Sequence, residues 1–274
     1  MQRIVSLGAA ATEIVCALGL ESALVGRSHE CDYPPSVRDL PALTLPASDS
    51  ERARLDALRE ARPDVILIQA DEHGVSPDEV QAALDTPAQL VTLEAKTLDG
   101  VLADIESVAA ALDAADAGAE LLLKLRTRIH DIATRAEATS TRPTVACIAE
   151  IDPLTVFGYW LPELITMAGG QPLFGMTGRP SPWVEWDDLW AADPDRIILA
   201  CRFDMERTLR ELPALERLPG WESLRATREH QVYVTDGSVY RPGPRLVEGL
   251  EILGEIIHPD AFRFGHEGVG WVRR

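Results

Sequence analysis

The order of apolar and polar positions along the chain reads as strand and helix in alternation. Residues 3–7 form a short apolar run, Thr12 is placed to cap the helix that follows, and Gly19 ends it where a left-handed residue costs little. Ser48 and Glu51 have capping-box spacing ahead of a helix through Arg59. RPDVILIQ then gives a turn and a buried strand at 65–69, and Ser76, Pro77 and Glu79 open the next helix with proline at its favoured first position. Residues 90–93 are a further strand. This alternation predicts a parallel sheet covered on both faces. From 98 to about 138 the period turns helical: Leu98, Val101, Leu102, Ile105, Val108 and Leu112 share one face, and after DAADAG so do Leu121, Leu122, Leu125, Ile129 and Ile132. Two helices are expected, the second roughly 24 residues and about 36 Å long. Strands resume in VACI, DRIILA and QVYVTD.

Part of the pattern occurs twice. TEIVCALGL at 12–20 matches PELITMAGG at 162–170, and LDALREARPDVILIQ at 55–69 matches WDDLWAADPDRIILA at 186–200. Glu163 lies 150 positions after Glu13, and Asp195 lies 131 after Asp64, so the connecting loops differ in length. Generic α/β patterning is the alternative. The repeat predicts an α/β fold of two similar lobes with parallel sheets, residues 1–97 and 143–274, joined by connecting helices at 98–142. A ligand cleft would lie between the lobes, at the carboxyl ends of the strands.

With 274 residues, 46% of them hydrophobic, the chain is expected to fold into two compact lobes. A formal charge of −18, with no basic run to offset it, argues against nucleic acid and against anionic membrane surfaces. The N-terminal stretch lacks the features of a secretory leader, and no apolar run is long enough to span a bilayer. The four cysteines, Cys16, Cys31, Cys147 and Cys201, form no CxxC pair. The expected compartment is cytoplasmic for the chain as written, and periplasmic or extracellular if a leader has been removed.

Chemistry is concentrated in few places. HECDYPP at 29–35 brings together His29, Glu30, Cys31 and Asp32, but adjacent residues on an extended chain point in alternating directions, so no structural metal site is expected. There is no GxSxG, HExxH or GxxxxGK[ST] to anchor an enzyme reading. SLGAAATE leads into a helix N-terminus whose amides could take an anion. The aromatics make up only 5% of residues, yet Tyr159, Trp160, Trp183, Trp186 and Tyr240 lie in segments rich in Gly and Pro, which suits a flat, largely apolar ligand. Ordinary packing competes for each ring, and is favoured for Trp190 and Trp221.

Taken in order, RIVSLGAAATEIVCALGL, HECDYPP, RPDVILIQ, PELITMAGG, SPWVEWDDL and RPGPRLVEGLEIL resemble the cobalamin-binding family among the substrate-binding proteins of ABC importers, over about residues 3–259. The likeness is to its leaderless branch. The resemblance implies two lobes on one long helix, a corrinoid as bound ligand, no intrinsic cofactor, an ABC permease as a possible partner, and delivery rather than catalysis. Position by position it implies Tyr33 against the corrin, with Asp32 fixing its loop. Trp160, Trp183 and Trp186 would line the pocket, Asp236 and Arg241 would reach corrin amides with Tyr240 beside them, and Glu79 and Glu206 would dock the transporter. Where periplasmic members carry a tryptophan loop and leaderless ones often a cysteine pair, this chain has ADEHGVSP, so the resemblance leaves His73 as a possible axial cobalt ligand, with a solvated loop histidine as the alternative. Haem or a ferric siderophore are alternative ligands. A tetrapyrrole chelatase using His73 and Glu72 is the alternative enzyme, although two adjacent residues are poorly placed for it.

Overall fold

The computed structural model describes residues 2–44, 51–69, 77–85, 87–200, 205–237 and 241–274, without the side chains of 51–55, 79 and 83. It divides into two units. Unit 1 comprises Met1–Ala95, Asp99–Leu125 and Pro242–Pro244; unit 2 comprises Lys96–Leu98, Arg126–Arg241 and Arg245–Arg274.

In unit 1 the chain runs β1 (Ile4–Ser6), α1 (Ala9–Ala17), β2 (Leu24–Arg27), α2 (Glu51–Ala61), β3 (Val65–Gln69), α3 (Pro77–Ala83) and β4 (Gln89–Leu93). All four strands are parallel, in the order β2-β1-β3-β4. The sheet is buried in the manner of parallel sheets, with Ile4, Val5, Ile66 and Leu67 fully enclosed. Two helices follow, α4 (Leu98–Ala111) and the 23-residue α5 (Ala115–Glu137), the latter about 35 Å long. The single helix α5 is assigned to unit 1 as far as Leu125 and to unit 2 from Arg126.

Unit 2 contains β5 (Thr144–Ile151), β6 (Leu154–Val156), α6 (Leu161–Met167), β7 (Gln171–Pro172), α7 (Trp186–Ala192), β8 (Arg196–Leu199), α8 (Met205–Glu216), α9 (Arg225–Arg228), β9 (Val232–Thr235), α10 (Leu246–Ile257) and β10 (Trp271–Arg273). Strands β7, β5, β8 and β9 repeat the parallel order of unit 1. Around this expected parallel core the sheet of unit 2 adds two antiparallel strands. Strand β6 pairs antiparallel with β5, and β10 pairs antiparallel with β9, so this sheet is mixed. The chain after α10 supplies β10. Its Trp271 packs edge-on against Tyr233 at 5.5 Å and donates its indole N–H to Glu255 Oε2 at 2.8 Å. Glu255 also accepts from the amides of Phe264, Gly265 and His266, which satisfies a buried carboxylate and fastens the tail to α10.

The duplication extends to individual hydrogen bonds. Helix α1 ends with Leu20 N–H on Val15 O (3.0 Å) and Gly19 N–H on Cys16 O (2.9 Å); α6 ends with Gly170 N–H on Ile165 O (2.8 Å) and Gly169 N–H on Thr166 O (3.0 Å). Gly19 and Gly169 hold φ of 76° and 87°, the left-handed conformation this termination demands. Ahead of β3 and β8 the match continues: Arg62 (φ 45°) and Asp193 (φ 42°) are both left-handed, each followed by Pro and Asp. Asp64 Oδ2 accepts the Arg3 amide at 2.8 Å, and Asp195 Oδ2 accepts the Thr144 amide at 2.8 Å.

Thr12 does not cap α1. The helix begins one turn earlier, behind Gly8, because the Thr12 hydroxyl reaches sideways to Ser6 Oγ (2.8 Å) and Cys31 Sγ (3.0 Å), while its amide donates to Gly8 O. Ser48 and Ser76 lie outside the described residues.

Burial pushes the Asp195 carboxyl up, but the Thr144 amide and hydroxyl and the Arg225 guanidinium outweigh it and hold the group below its ordinary value. A carboxyl depressed on folding contributes stability that is present above its unfolded value and lost as pH falls through the folded one. Asp195→Ala is therefore expected to cost about 1–3 kcal/mol at neutral pH. Followed by circular dichroism melts, the gap from the parent protein should narrow only below about pH 4.

Candidate functional site

In unit 1 the candidate residues belong to the loop that leaves β2. His29 donates its amide to Thr44 Oγ1 at 2.8 Å and sets Nδ1 2.8 Å from the same oxygen, whereas Cys31 is buried against Thr12. Neighbouring side chains thus face different partners, and among the described residues no three His, Cys, Asp or Glu groups converge as metal ligands do. Burial raises the Cys31 thiol above its ordinary value, against the hydrogen bond from Thr12, so it stays protonated. Arg27 ties the loop by donating to Ser28 O (2.9 Å) and Arg38 O (3.0 Å). Tyr33 stands on this stitched loop with 42% of its surface exposed, just before the fully buried Val37 of the next turn.

In unit 2 the candidate aromatics divide by environment. Two segments, 157–160 and 174–184, pack so closely that a Cβ on Gly158 would lie 2.2 Å from Arg179 O, and one on Gly175 only 2.0 Å from Phe157 O. Tyr159 is left-handed (φ 52°), an uncommon state for a bulky residue, with its amide on Arg179 O at 2.6 Å and its carbonyl accepting Gly178 N–H at 2.9 Å. Val156 N–H reaches Pro182 O (3.2 Å) and Val184 N–H reaches Leu154 O (3.0 Å), so the backbone is anchored on both sides of Trp183. The Trp183 ring itself is 80% exposed, and Met176 on the same segment is 66% exposed.

Trp160 and Trp186 are held differently. Trp160 is 8% exposed at the start of α6 and stacks on Tyr159 at 5.7 Å; its buried indole N–H has no acceptor among the described residues. Trp186 opens α7, donates to Pro219 O at 2.8 Å and stacks on Trp221 at 6.2 Å. Trp221 is buried, as packing predicts, while Trp190 is 47% exposed with its indole N–H on Ser223 Oγ.

Asp236 follows β9, donates its amide to Gly270 O, and places a carboxylate oxygen 3.9 Å from Arg245 Nη2. Arg245 also meets Glu248 at 3.3 Å; sequence reasoning passed over it, and the only hint was its place in RPGPR beside Arg241. Arg241 is partly buried. Glu206, in the first turn of α8, is exposed and pairs with Arg210 at 2.9 Å. His73, Glu72 and Tyr240 lie outside the described residues, as does the side chain of Glu79.

The family model described as periplasmic binding protein matches residues 4–239. An uncharacterized ABC transporter substrate-binding lipoprotein, YvrC, of Bacillus subtilis is 25% identical over 271 residues, covering 96% of this chain and 82% of its own. The vitamin B12-binding protein of Vibrio cholerae is 24% identical over 253 residues, 91% of this chain and 87% of its own. The crystal structure of a periplasmic heme binding protein from Pseudomonas aeruginosa superposes with a TM-score of 0.79 at 24% identity, covering 95% of this chain and 94% of that one. At such identity the superposition establishes the fold.

The two tryptophan environments make opposite predictions for stability. Trp183→Ala should leave the melting temperature within the range of a surface substitution, about 0.5 kcal/mol. Trp186→Ala loses a ring stack and a hydrogen bond and should cost about 2–4 kcal/mol. Thermal or urea unfolding of the two variants checks both.

Proposed function

We propose, for a chain that belongs to the periplasmic binding protein family, that it captures a corrinoid or a similar planar metal chelate for uptake, delivery or sequestration. The family binds its ligands and performs no chemistry on them, which removes the chelatase alternative. The observation that carries the reading is Trp183: a large ring left open to solvent while its backbone is fixed on both flanks. Aromatic surface of this kind suits a flat ligand and pays little ordering entropy on binding. The ligands that two relatives are named for, vitamin B12 and heme, are both planar tetrapyrrole-type chelates and support the class.

In this reading Tyr33 and Trp183 contact the ligand face, Trp160 and Trp186 hold the wall, and Asp236 and Arg241 meet polar groups at the ligand edge. His73 as an axial ligand and Tyr240 beside Arg241 complete the proposed set, and Glu79 and Glu206 are proposed to dock a permease. The proposed domain bounds are 1–97, 98–142 and 143–274. Haem and ferric siderophores remain the alternative ligands. Among the described residues no helix is long and apolar enough to cross a membrane.

The test is to mix the purified protein with hydroxocobalamin, haemin or a ferric siderophore, desalt, and record absorbance spectra. Retained cobalamin bands are expected; retention of haemin alone would move the assignment within the class, and retention of none would end it. Tyr33→Ala and Trp183→Ala should each weaken binding of the retained ligand by about 1–3 kcal/mol, as removal of a desolvated aromatic contact does. Unchanged affinity in both would remove these two rings from the site.

A further inference from the structure

Residues Pro242–Pro244 belong to unit 1 although their neighbours Arg241 and Arg245 belong to unit 2. They rest on α1. A Cβ built on Gly243 would lie 3.5 Å from Ala10 Cα, 3.6 Å from Ala10 O and 3.5 Å from Glu13 Oε2. Glu13 is only 3% exposed. Unit 2 has a related arrangement, in which the glutamate accepts a backbone amide. Lys96–Leu98 belong to unit 2 although both neighbours belong to unit 1, and Glu163, the repeat counterpart of Glu13, accepts the Leu98 amide at the start of α4. The helix that follows the last parallel strand of each sheet, α4 or α10, is thus preceded by a short stretch that lies beside one of the two repeat-matched glutamates, Glu13 buried and Glu163 half-buried.

From this matched pair we infer that Glu13 is a positioning residue. It seats Pro242–Pro244 on α1 and thereby sets the place of Arg241, one bond upstream. On the downstream side Arg245 is tied to Asp236 at 3.9 Å and to Glu248 at 3.3 Å, so the other end of the stretch is fixed independently. The part concerning ligand rests on the reading of Arg241 as a ligand contact; the seating itself does not.

Two measurements separate these. Hydrogen exchange on the free protein reads the seat: Glu13→Ala should speed exchange at residues 243–248 and leave 98–101 unchanged, while Glu163→Ala should do the reverse. Glu13→Gln keeps the volume beneath Gly243 and should restore the parent pattern. Unchanged exchange at 243–248 in a folded Glu13→Ala protein overturns the inference, whatever the ligand. Affinity for hydroxocobalamin, or for haemin if only that is retained, reads the positioning. Glu13→Ala should weaken binding about tenfold in the parent and by less than about twofold on an Arg241→Ala background, because a residue acting through Arg241 has nothing left to place. Equal losses on both backgrounds overturn it. If the parent retains neither compound, the ligand assignment falls and the exchange pattern alone decides the seat.

Discussion

A parallel sheet needs an acceptor for the amide that precedes its first ladder, and in each unit that acceptor is an aspartate set behind a left-handed residue and a proline. Asp64 receives Arg3, and Asp195 receives Thr144. These two bonds tie the opening of one strand to the opening of its neighbour, and the registers Ile4↔Val65 and Val145↔Arg196 follow from that alignment. A slip of one residue would turn Val5 and Ile66 to the opposite faces, so the bond also decides which side chains are core. The segments that carry Tyr33, Trp183 and Asp236 follow β2, β7 and β9, the parallel neighbours of β1, β5 and β8.

Most of this architecture was legible in the sequence because its signals are local. The glycine at Gly19 and Gly169, the Arg-Pro-Asp and Asp-Pro-Asp turns, and the helical spacing from Leu98 to Ile132 each act within a few residues of themselves. The duplication then multiplied every such signal by two. What failed was long range. Thr12 has the right chemistry for a cap, but its hydroxyl is drawn to Ser6 and to Cys31, 19 positions away. The tail after Pro259 looked irregular because the group that organises it, the Glu255 carboxylate, sits on the preceding helix and gathers three successive amides and an indole.

Residue type was easier to read than direction. Trp160, Trp183 and Trp186 are alike in composition and in their Gly- and Pro-rich surroundings, yet one starts α6, one stands on an anchored extended segment and one starts α7. The sequence carried a discriminating clue that is weak alone: LPE after Trp160 and DDL after Trp186 are helix openings, with proline or acid in the first turn. SPWVEW offers no such feature before Trp183. A ring at a helix start has a packing partner on its own helix or the next element, whereas a ring on an extended segment is free to face outward.

Chemistry at the proposed ligand edge separates the two relatives' ligands. A corrinoid carries neutral amides, which both donate and accept, whereas haem presents two carboxylates that only accept. An aspartate next to an arginine complements an amide with both of its members, but Asp236 opposes a propionate, and Arg245 at 3.9 Å offsets that charge while Glu248 competes for the same guanidinium. The formal charge of −18 acts in the same direction over longer range, weakly at physiological salt because the field is screened within about 8 Å. At the proposed edge, short-range pairing and net charge thus act in one sense, the first more strongly, and under the proposed reading both suit an amide-rimmed ligand.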